Sequence, residues 1–140
     1  MKRHIAVPSD AAQLPVLTHF LQEFWSDAGL PPAETMTFEL ALEESFMNVV
    51  MHGSPAGRVP RVEMSLALRD GCLTMIIEDD GPSFDPLSLA APDVTASLEE
   101  RRVGGLGVYL VRQMMDAVSY QRLRGHNQLS MTKRVREPTP

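Results

Sequence analysis

The chain has 140 residues, of which 44% are apolar and 22% charged, and its formal net charge is -5 at pH 7. This composition is typical of one globular domain, and the acidic balance argues against nucleic acid or an anionic membrane as a direct partner. A single cysteine cannot form an intrachain disulfide, no apolar run reaches the ~18 residues of a membrane-spanning helix, and the N-terminus has no signal-peptide pattern. We therefore expect a cytoplasmic protein.

The first half of the chain predicts a strand, two helices and a hairpin. The strand "HIAV" precedes "SDAAQLPVLTHFLQEFWSDAG", where apolar residues recur at helical spacing and Gly29 ends the helix; the early Pro15 leaves its start open. A second helix follows "LPPAE" and ends at "HG". The segment "RVEMSLALRDGCLTMIIED" alternates apolar and polar residues around the turn "RDG", which predicts a hairpin with one face toward the core.

The second half begins with a segment that fits no long regular element. From Gly81 to Val103 the prolines interrupt any helix, and a loop of more than about 15 residues in a compact domain is usually functional or disordered. The stretch "GGLGVYLVRQMMDAV" predicts a third helix, and "VSYQRLRGHNQLSMTKRV" predicts a closing hairpin. The order β-α-α-β-β-α-β-β predicts an α+β two-layer sandwich, with helices on one face of a mixed, mostly antiparallel sheet.

A polar stripe on the second helix is the first candidate for chemistry. Glu44, Asn48 and His52 are spaced four residues apart, so they share one side of an otherwise apolar helix. Asn48 offers a neutral oxygen to Mg²⁺, and Glu44 could accept a proton from a hydroxyl or water. The alternative is the solvated edge of an amphipathic helix, with His52 as an ordinary histidine near the helix end.

Two further candidates lie at a strand end and at a helix start. Asp79 ends an apolar strand just before Gly81, so its carboxylate could accept a hydrogen bond from an exocyclic amine such as that of adenine; an ordinary acidic turn is the alternative. Gly104, Gly105 and Gly107 open the third helix, where free N–H groups and the helix dipole suit a phosphate. A flexible linker that meets a helix is the alternative there.

Taken in order, these segments resemble the ATP-binding superfamily of gyrase, heat-shock chaperone, histidine kinase and mismatch-repair ATPases. Within it, "ELALEESFMNVVMHG", "DDGPSFDP" and "GGLGVYLVRQMMDAVSY" are similar to the anti-sigma factor serine kinases, which phosphorylate a serine on an anti-anti-sigma protein. The resemblance covers about residues 5 to 135 and implies a histidine-kinase-like ATPase fold.

The resemblance also implies a role for each motif. Glu44 would be the general base, and Asn48 would bind Mg²⁺. The residues that bind the nucleotide would be Asn48, Asp79, Gly81, Gly104, Gly105 and Gly107. Residues 82–103 would form an ATP lid within a single kinase domain spanning residues 1–140, with a disordered tail at 136–140. The family's late Gly-Thr is replaced by "GHNQ", and Arg102 lies two residues before the glycines, so neither is assigned a contact.

The function implied is transfer of the γ-phosphoryl group of ATP·Mg²⁺ to a serine or threonine hydroxyl, in a partner switch with an anti-anti-sigma factor and a sigma factor. A nucleotide-dependent binding module that sequesters a sigma factor or another regulator, with little or no kinase activity, is the alternative. A purely structural domain with a lapsed site is a third reading. The sequence leaves open the regulated process and the choice between a monomer and a homodimer.

Overall fold

A computed structural model describes residues 1–52, 57–88 and 105–136, in which an antiparallel sheet carries α-helices on one face. The strands are β1 (Lys2–Pro8), β2 (Arg61–Arg69), β3 (Cys72–Asp79), β4 (Ala117–Leu123) and β5 (His126–Arg134). The α-helices are α1 (Leu14–Asp27), α2 (Thr35–His52) and α3 (Gly105–Met114). The order of these elements is the one expected, and the α+β two-layer fold class is confirmed.

The sheet has the order β1-β2-β3-β5-β4, and both hairpins close through two-residue turns. Asp70 and Gly71 in the first turn, and Arg124 and Gly125 in the second, all have positive φ angles, between 53° and 81°. Turns of this kind match the right-handed twist of the strands they join. Every described strand pair is antiparallel, so the sheet is more regular than the mixed arrangement that the sequence predicts.

The core lies between the helices and the face of the sheet that they cover. Alternate residues of β2 and β3 point into it, as the alternation in the sequence predicts. The helices contribute three fully buried phenylalanines, Phe24, Phe38 and Phe46. This packing fixes α2 over the sheet, because most of its apolar side chains lie in the core. The polar stripe of Glu44, Asn48 and His52 is the part of the helix left to take part in a site.

Two helix boundaries differ from the sequence-based expectation. A short 3₁₀ turn, Ala11–Gln13, precedes α1, and Pro15 falls in the first turn of the helix, where a missing N–H leaves no hydrogen bond unmade. α3 ends at Met114, a few residues earlier than "DAV" suggests, because Ala117 already pairs with Thr132 in the sheet.

The first residues of the predicted lid belong to the packed structure. Pro86–Ser88 form a 3₁₀ turn, in which Pro86 is buried and Leu87 packs against the core. The rest of the predicted lid, Gly104 and the last four residues of the predicted tail lie outside the described residues. None of the helices in the described ranges is both long enough and apolar enough to cross a membrane.

Candidate functional site

A nearly buried carboxylate marks the end of β3 on the helix-covered face. Asp79 is 7% exposed, and its Oδ1 accepts hydrogen bonds from the backbone N–H of Gly81 (2.9 Å) and from Nδ2 of Asn127 (3.0 Å). Within the described ranges, Oδ2 receives no hydrogen bond. Burial raises the pKa of Asp79, against the opposing effect of these two hydrogen bonds and of the nearby charge of Arg122. One carboxylate oxygen is therefore held by the protein, and the other is left for a ligand.

The turn that follows Asp79 is held from two neighbouring segments. Asp80 accepts hydrogen bonds from Nη2 of Arg58 (2.7 Å) and from the backbone N–H of Arg61 (2.8 Å). Burial alone would raise the pKa of Asp80, but these contacts and the charge of Arg58 lower it overall. On the other side, Nη1 of Arg122 donates to the carbonyl oxygen of Gly81 (2.7 Å). The backbone beside the Asp79 carboxylate is thus fixed by β2 and β4.

Asn127 is a site residue that the sequence pattern alone does not assign, since it lies within the "GHNQ" segment. It is 6% exposed and contacts Asp79, Pro82, Phe84 and Tyr120 through its amide. The signal that could have found it is the antiparallel register of the sheet, which pairs Asn127 in β5 with Asp79 in β3. That pairing requires β3 and β5 to be neighbours in the sheet, and no local sequence motif predicts which strands are neighbours.

A cavity lies between α2, the end of β3 and the segment that follows it. Asn48 and His52 line it from α2, Asp79 lines it from β3, and Ile77 and Leu129 provide apolar walls. The rings of His52 and Phe84 stack at its edge, with centroids 4.4 Å apart and planes 17° apart. Two members of the predicted helix stripe and the predicted base-reading aspartate are therefore brought together around one cavity.

Asn48 has an unmet hydrogen-bonding group. The residue is 4% exposed, and its Nδ2 has no hydrogen-bond partner in the described part of the chain. A buried polar group without a partner costs roughly 1–3 kcal/mol, so a ligand that supplies the partner would recover that energy. Because the nitrogen and oxygen of an amide exchange places on a half-turn, Asn48 could face a ligand with either atom. This residue therefore fits a metal ion or a phosphate group bound in the same cavity.

Glu44 lies outside this cavity and contacts α3. A Cβ atom at Gly107 would overlap the carboxylate and Cγ of Glu44, so glycine at this position leaves the space that the Glu44 side chain occupies. Burial raises the pKa of Glu44, and the charge of Glu43 raises it further. The predicted stripe is divided: Asn48 and His52 line the Asp79 cavity, whereas Glu44 lies beside the first turn of α3, which begins at Gly105. A half-buried carboxylate of raised pKa at this point is suited to accepting a proton.

Comparison with known proteins identifies the family to which this chain belongs. Residues 7–133 match the family model of the histidine kinase-like ATPase domain, and the chain belongs to that family. The serine/threonine-protein kinase BtrW of Bordetella bronchiseptica is 32% identical over 96 residues, which cover 69% of this chain and 68% of BtrW. The serine-protein kinase RsbW of Staphylococcus aureus is 25% identical over 136 residues, which cover 94% of this chain and 85% of RsbW.

A solved structure agrees with the fold. The crystal structure of the RsbU and RsbW domains of a Mycobacterium tuberculosis protein matches with a TM-score of 0.70 and 16% identity, over 99% of this chain and 34% of that one. The chain thus spans about a third of that larger polypeptide, and at this identity the match supports the fold. The superfamily expected from the three motifs is confirmed, and the names of both relatives agree with its kinase branch.

Proposed function

We propose that the protein is an ATP-dependent protein serine/threonine kinase of the anti-sigma factor type, which phosphorylates an anti-anti-sigma protein. The observation that carries the proposal is that Asp79 and Asn48 line one cavity. Within the described residues, one carboxylate oxygen of Asp79 and the amide nitrogen of Asn48 have no hydrogen-bond partner. Glu44 lies one helical turn before Asn48, beside the start of α3. The two relatives support the proposal, because both are named as protein kinases.

The base would be read at the end of β3. Oδ2 of Asp79 would accept a hydrogen bond from the exocyclic amine of adenine, while Gly81 gives the base room to approach the backbone. The apolar walls of the cavity, among them Ile77 and Leu129, would cover the faces of the ring.

The phosphates would be held between α2 and α3. Asn48 would bind Mg²⁺, and the backbone N–H groups at Gly105 and Gly107 would face the phosphates; Gly104, outside the described residues, stays a prediction for the same role. The metal ion, when bound, would offset negative charge on the phosphates. These residues fit a magnesium-bound phosphate group, because an amide whose nitrogen has no partner among the described residues and a glycine-rich helix start lie on neighbouring helices.

Glu44 would act as the general base. It would accept the proton of the serine or threonine hydroxyl as that oxygen attacks, and its raised pKa makes it a better proton acceptor than an exposed glutamate. Its carboxylate lies beside Gly107, at the start of α3.

The remaining parts of the proposal concern the setting of the reaction. A sigma factor would be the second partner, and the protein would act in the cytoplasm. It would work as a monomer or as a homodimer.

Phosphotransfer to a defined acceptor tests the proposal. The purified protein would be incubated with radiolabelled ATP, Mg²⁺ and each anti-anti-sigma protein encoded by the same genome, and the modified residue identified by mass spectrometry. We expect magnesium-dependent phosphorylation of one serine or threonine, abolished by chelation of the metal. Absence of ATP binding in calorimetry would overturn the proposal. Binding without transfer to any acceptor would favour the alternative, a nucleotide-dependent binding module that sequesters a regulator.

A further inference from the structure

The amide of Asn127 uses all of its hydrogen-bonding positions. Nδ2 donates to Oδ1 of Asp79 (3.0 Å) and to the carbonyl oxygen of Pro82 (2.8 Å). Oδ1 accepts from the backbone N–H of Phe84 (3.2 Å) and from the hydroxyl of Tyr120 (2.5 Å). A buried amide with two donors and two acceptor positions filled has no capacity left for a ligand, and it is held rigidly by its four partners.

Two backbone groups decide which way this amide faces. The N–H of Phe84 can only donate and the carbonyl of Pro82 can only accept, so the amide oxygen must face Phe84 and the nitrogen must face Pro82. The nitrogen then presents its second hydrogen to Asp79, whose Oδ1 also accepts the N–H of Gly81. Both hydrogen bonds fall on the same carboxylate oxygen, and among the described residues this leaves Oδ2 for a ligand.

We propose that Asn127 is a positioning residue for base recognition, which orients the Asp79 carboxylate toward an amine-bearing base and joins that carboxylate to the backbone at residues 82–84. The inference deepens the proposed function and rests on it. Asn127 acts through Asp79, since its own amide is saturated. Phe84 lines the same cavity and stacks on His52. The Asn127 side chain therefore couples contact with the base to the position of residues 82–84.

A pair of nucleotides isolates the contact that Asn127 orients. Purine riboside triphosphate differs from ATP by the missing 6-amino group, so the ratio of the two dissociation constants measures recognition of the amine. In the wild-type protein we expect ATP to bind more tightly by on the order of 10-fold or more. Asn127→Ala should bring that ratio close to 1. Loss of a merely structural residue would weaken both nucleotides equally and leave the ratio unchanged.

Gln128→Ala is the matched control. Gln128 is the next residue of β5, on the opposite face of the sheet, where its Oε1 accepts from Nε2 of Gln121 (2.6 Å). We expect this variant to keep the wild-type ratio, because it changes a β5 side chain of similar chemistry without contacting Asp79. Should Asn127→Ala fail to fold, Tyr120→Phe serves in its place: it removes one hydroxyl from the Asn127 network and should lower the ratio several-fold.

The coupling to the following segment has its own measurement. Hydrogen exchange at the Phe84 amide should be slow in the wild-type protein, slower still with ATP, and fast in Asn127→Ala with or without ATP. A wild-type preference for ATP that survives in both Asn127→Ala and Tyr120→Phe would overturn the positioning role and leave the proposed function intact. A wild-type protein that binds neither nucleotide, or binds both equally, would overturn the proposed base recognition and this inference together.

Discussion

The two ends of the candidate site are built in opposite ways. At the β3 end, Asp79 and Asn127 lie in a hydrogen-bonded network in which, among the described residues, only Oδ2 of Asp79 has no partner. At the helix end, Glu44 beside α3 is half-buried with a raised pKa, and Asn48, which lies one turn later and lines the Asp79 cavity, lacks a partner for its amide nitrogen in the described ranges. The first arrangement is suited to selecting a ligand. The second keeps polar groups in an unfavourable state that a bound ligand can relieve, which is common at catalytic sites.

The secondary structure that supplies each end explains the difference. Asp79 and Asn127 are paired residues of adjacent strands, so the ladder of the sheet sets their separation and each can satisfy the other. Glu44 and Gly107 belong to two helices, which meet through side-chain packing and leave their polar groups to find partners elsewhere. Four substitutions test this contrast.

The largest effect is expected at Glu44. Glu44→Gln keeps the size and the hydrogen-bonding groups but removes the basicity, so phosphotransfer should fall by about 10²–10⁴-fold while Mg·ATP still binds. Radiolabel transfer under single-turnover conditions and calorimetry measure the two quantities. Glu43→Gln, which removes the exposed neighbouring charge, is the control; burial remains the larger cause of the raised pKa of Glu44, so the loss of activity should be small. Full activity in Glu44→Gln would remove the general base from the helix end of the site.

Gly107→Ala should displace the Glu44 carboxylate, because the added Cβ occupies its place. A displacement of about 1 Å at a catalytic group can lower the rate by about 10²-fold, and we expect a loss of that order in phosphotransfer.

A double-mutant cycle separates this overlap from the effect of alanine on the helix. Alanine is favoured over glycine inside a helix by about 1 kcal/mol, so Gly107→Ala should stabilise the Glu44→Ala protein but not the wild type. Thermal unfolding measures both. Equal stabilisation in the two backgrounds would show that Glu44 and Gly107 do not compete for the same space.

Asp79→Asn should weaken ATP binding by about 1–3 kcal/mol, because a donor would face the donor of the base amine. Calorimetry measures the loss. A variant that binds ATP as tightly as the wild type would contradict the assignment of this carboxylate to the base.

The same substitution should stabilise the free protein at neutral pH. The folded-state pKa of Asp79 is raised, so its ionisation opposes folding; this penalty is fully present above the folded pKa and disappears as the pH falls below the ordinary aspartate value. Asp79→Asn should therefore raise the melting temperature at pH 7, and the gain should shrink toward zero in acid. A gain that is constant across this range would point to packing rather than charge.

The smallest effect is expected at Arg58, which supports the β3 end from outside. In its ion pair with Asp80 (2.7 Å) the Arg58 side chain is largely solvent-exposed, and the N–H of Arg61 would still hold the same carboxylate. Arg58→Ala should therefore cost less than about 1 kcal/mol of stability and leave ATP affinity nearly unchanged. Arg69→Ala, at a fully exposed pair with Asp70, is the control. A several-fold loss of ATP affinity in Arg58→Ala would show that the network around Asp79 depends on surface charge.

The sequence by itself determined the order of the elements and the two hairpin turns, and it predicted candidates for one half of the site. Apolar periodicity predicts helices and strands because it indicates which face each element buries. Asp70-Gly71 predicts its turn from the local sequence, because both residues accept the positive φ angles that the turn requires. Asp79 and the stripe of Glu44, Asn48 and His52 could be predicted as candidates for the same reason, because each lies within one element whose geometry fixes its neighbours along the chain.

Only the tertiary structure decided which residues from distant elements meet. Asn127 reaches Asp79 because β5 pairs with β3 rather than with β2, and that choice of neighbour is set by burial of the whole sheet. Likewise, Glu44 does not line the cavity with Asn48 and His52 but lies beside Gly107, because α2 and α3 pack closely. The side chains of both helices together set the distance between them. Local periodicity predicts the direction in which a side chain points. Which residue that side chain contacts depends on packing between segments far apart in sequence.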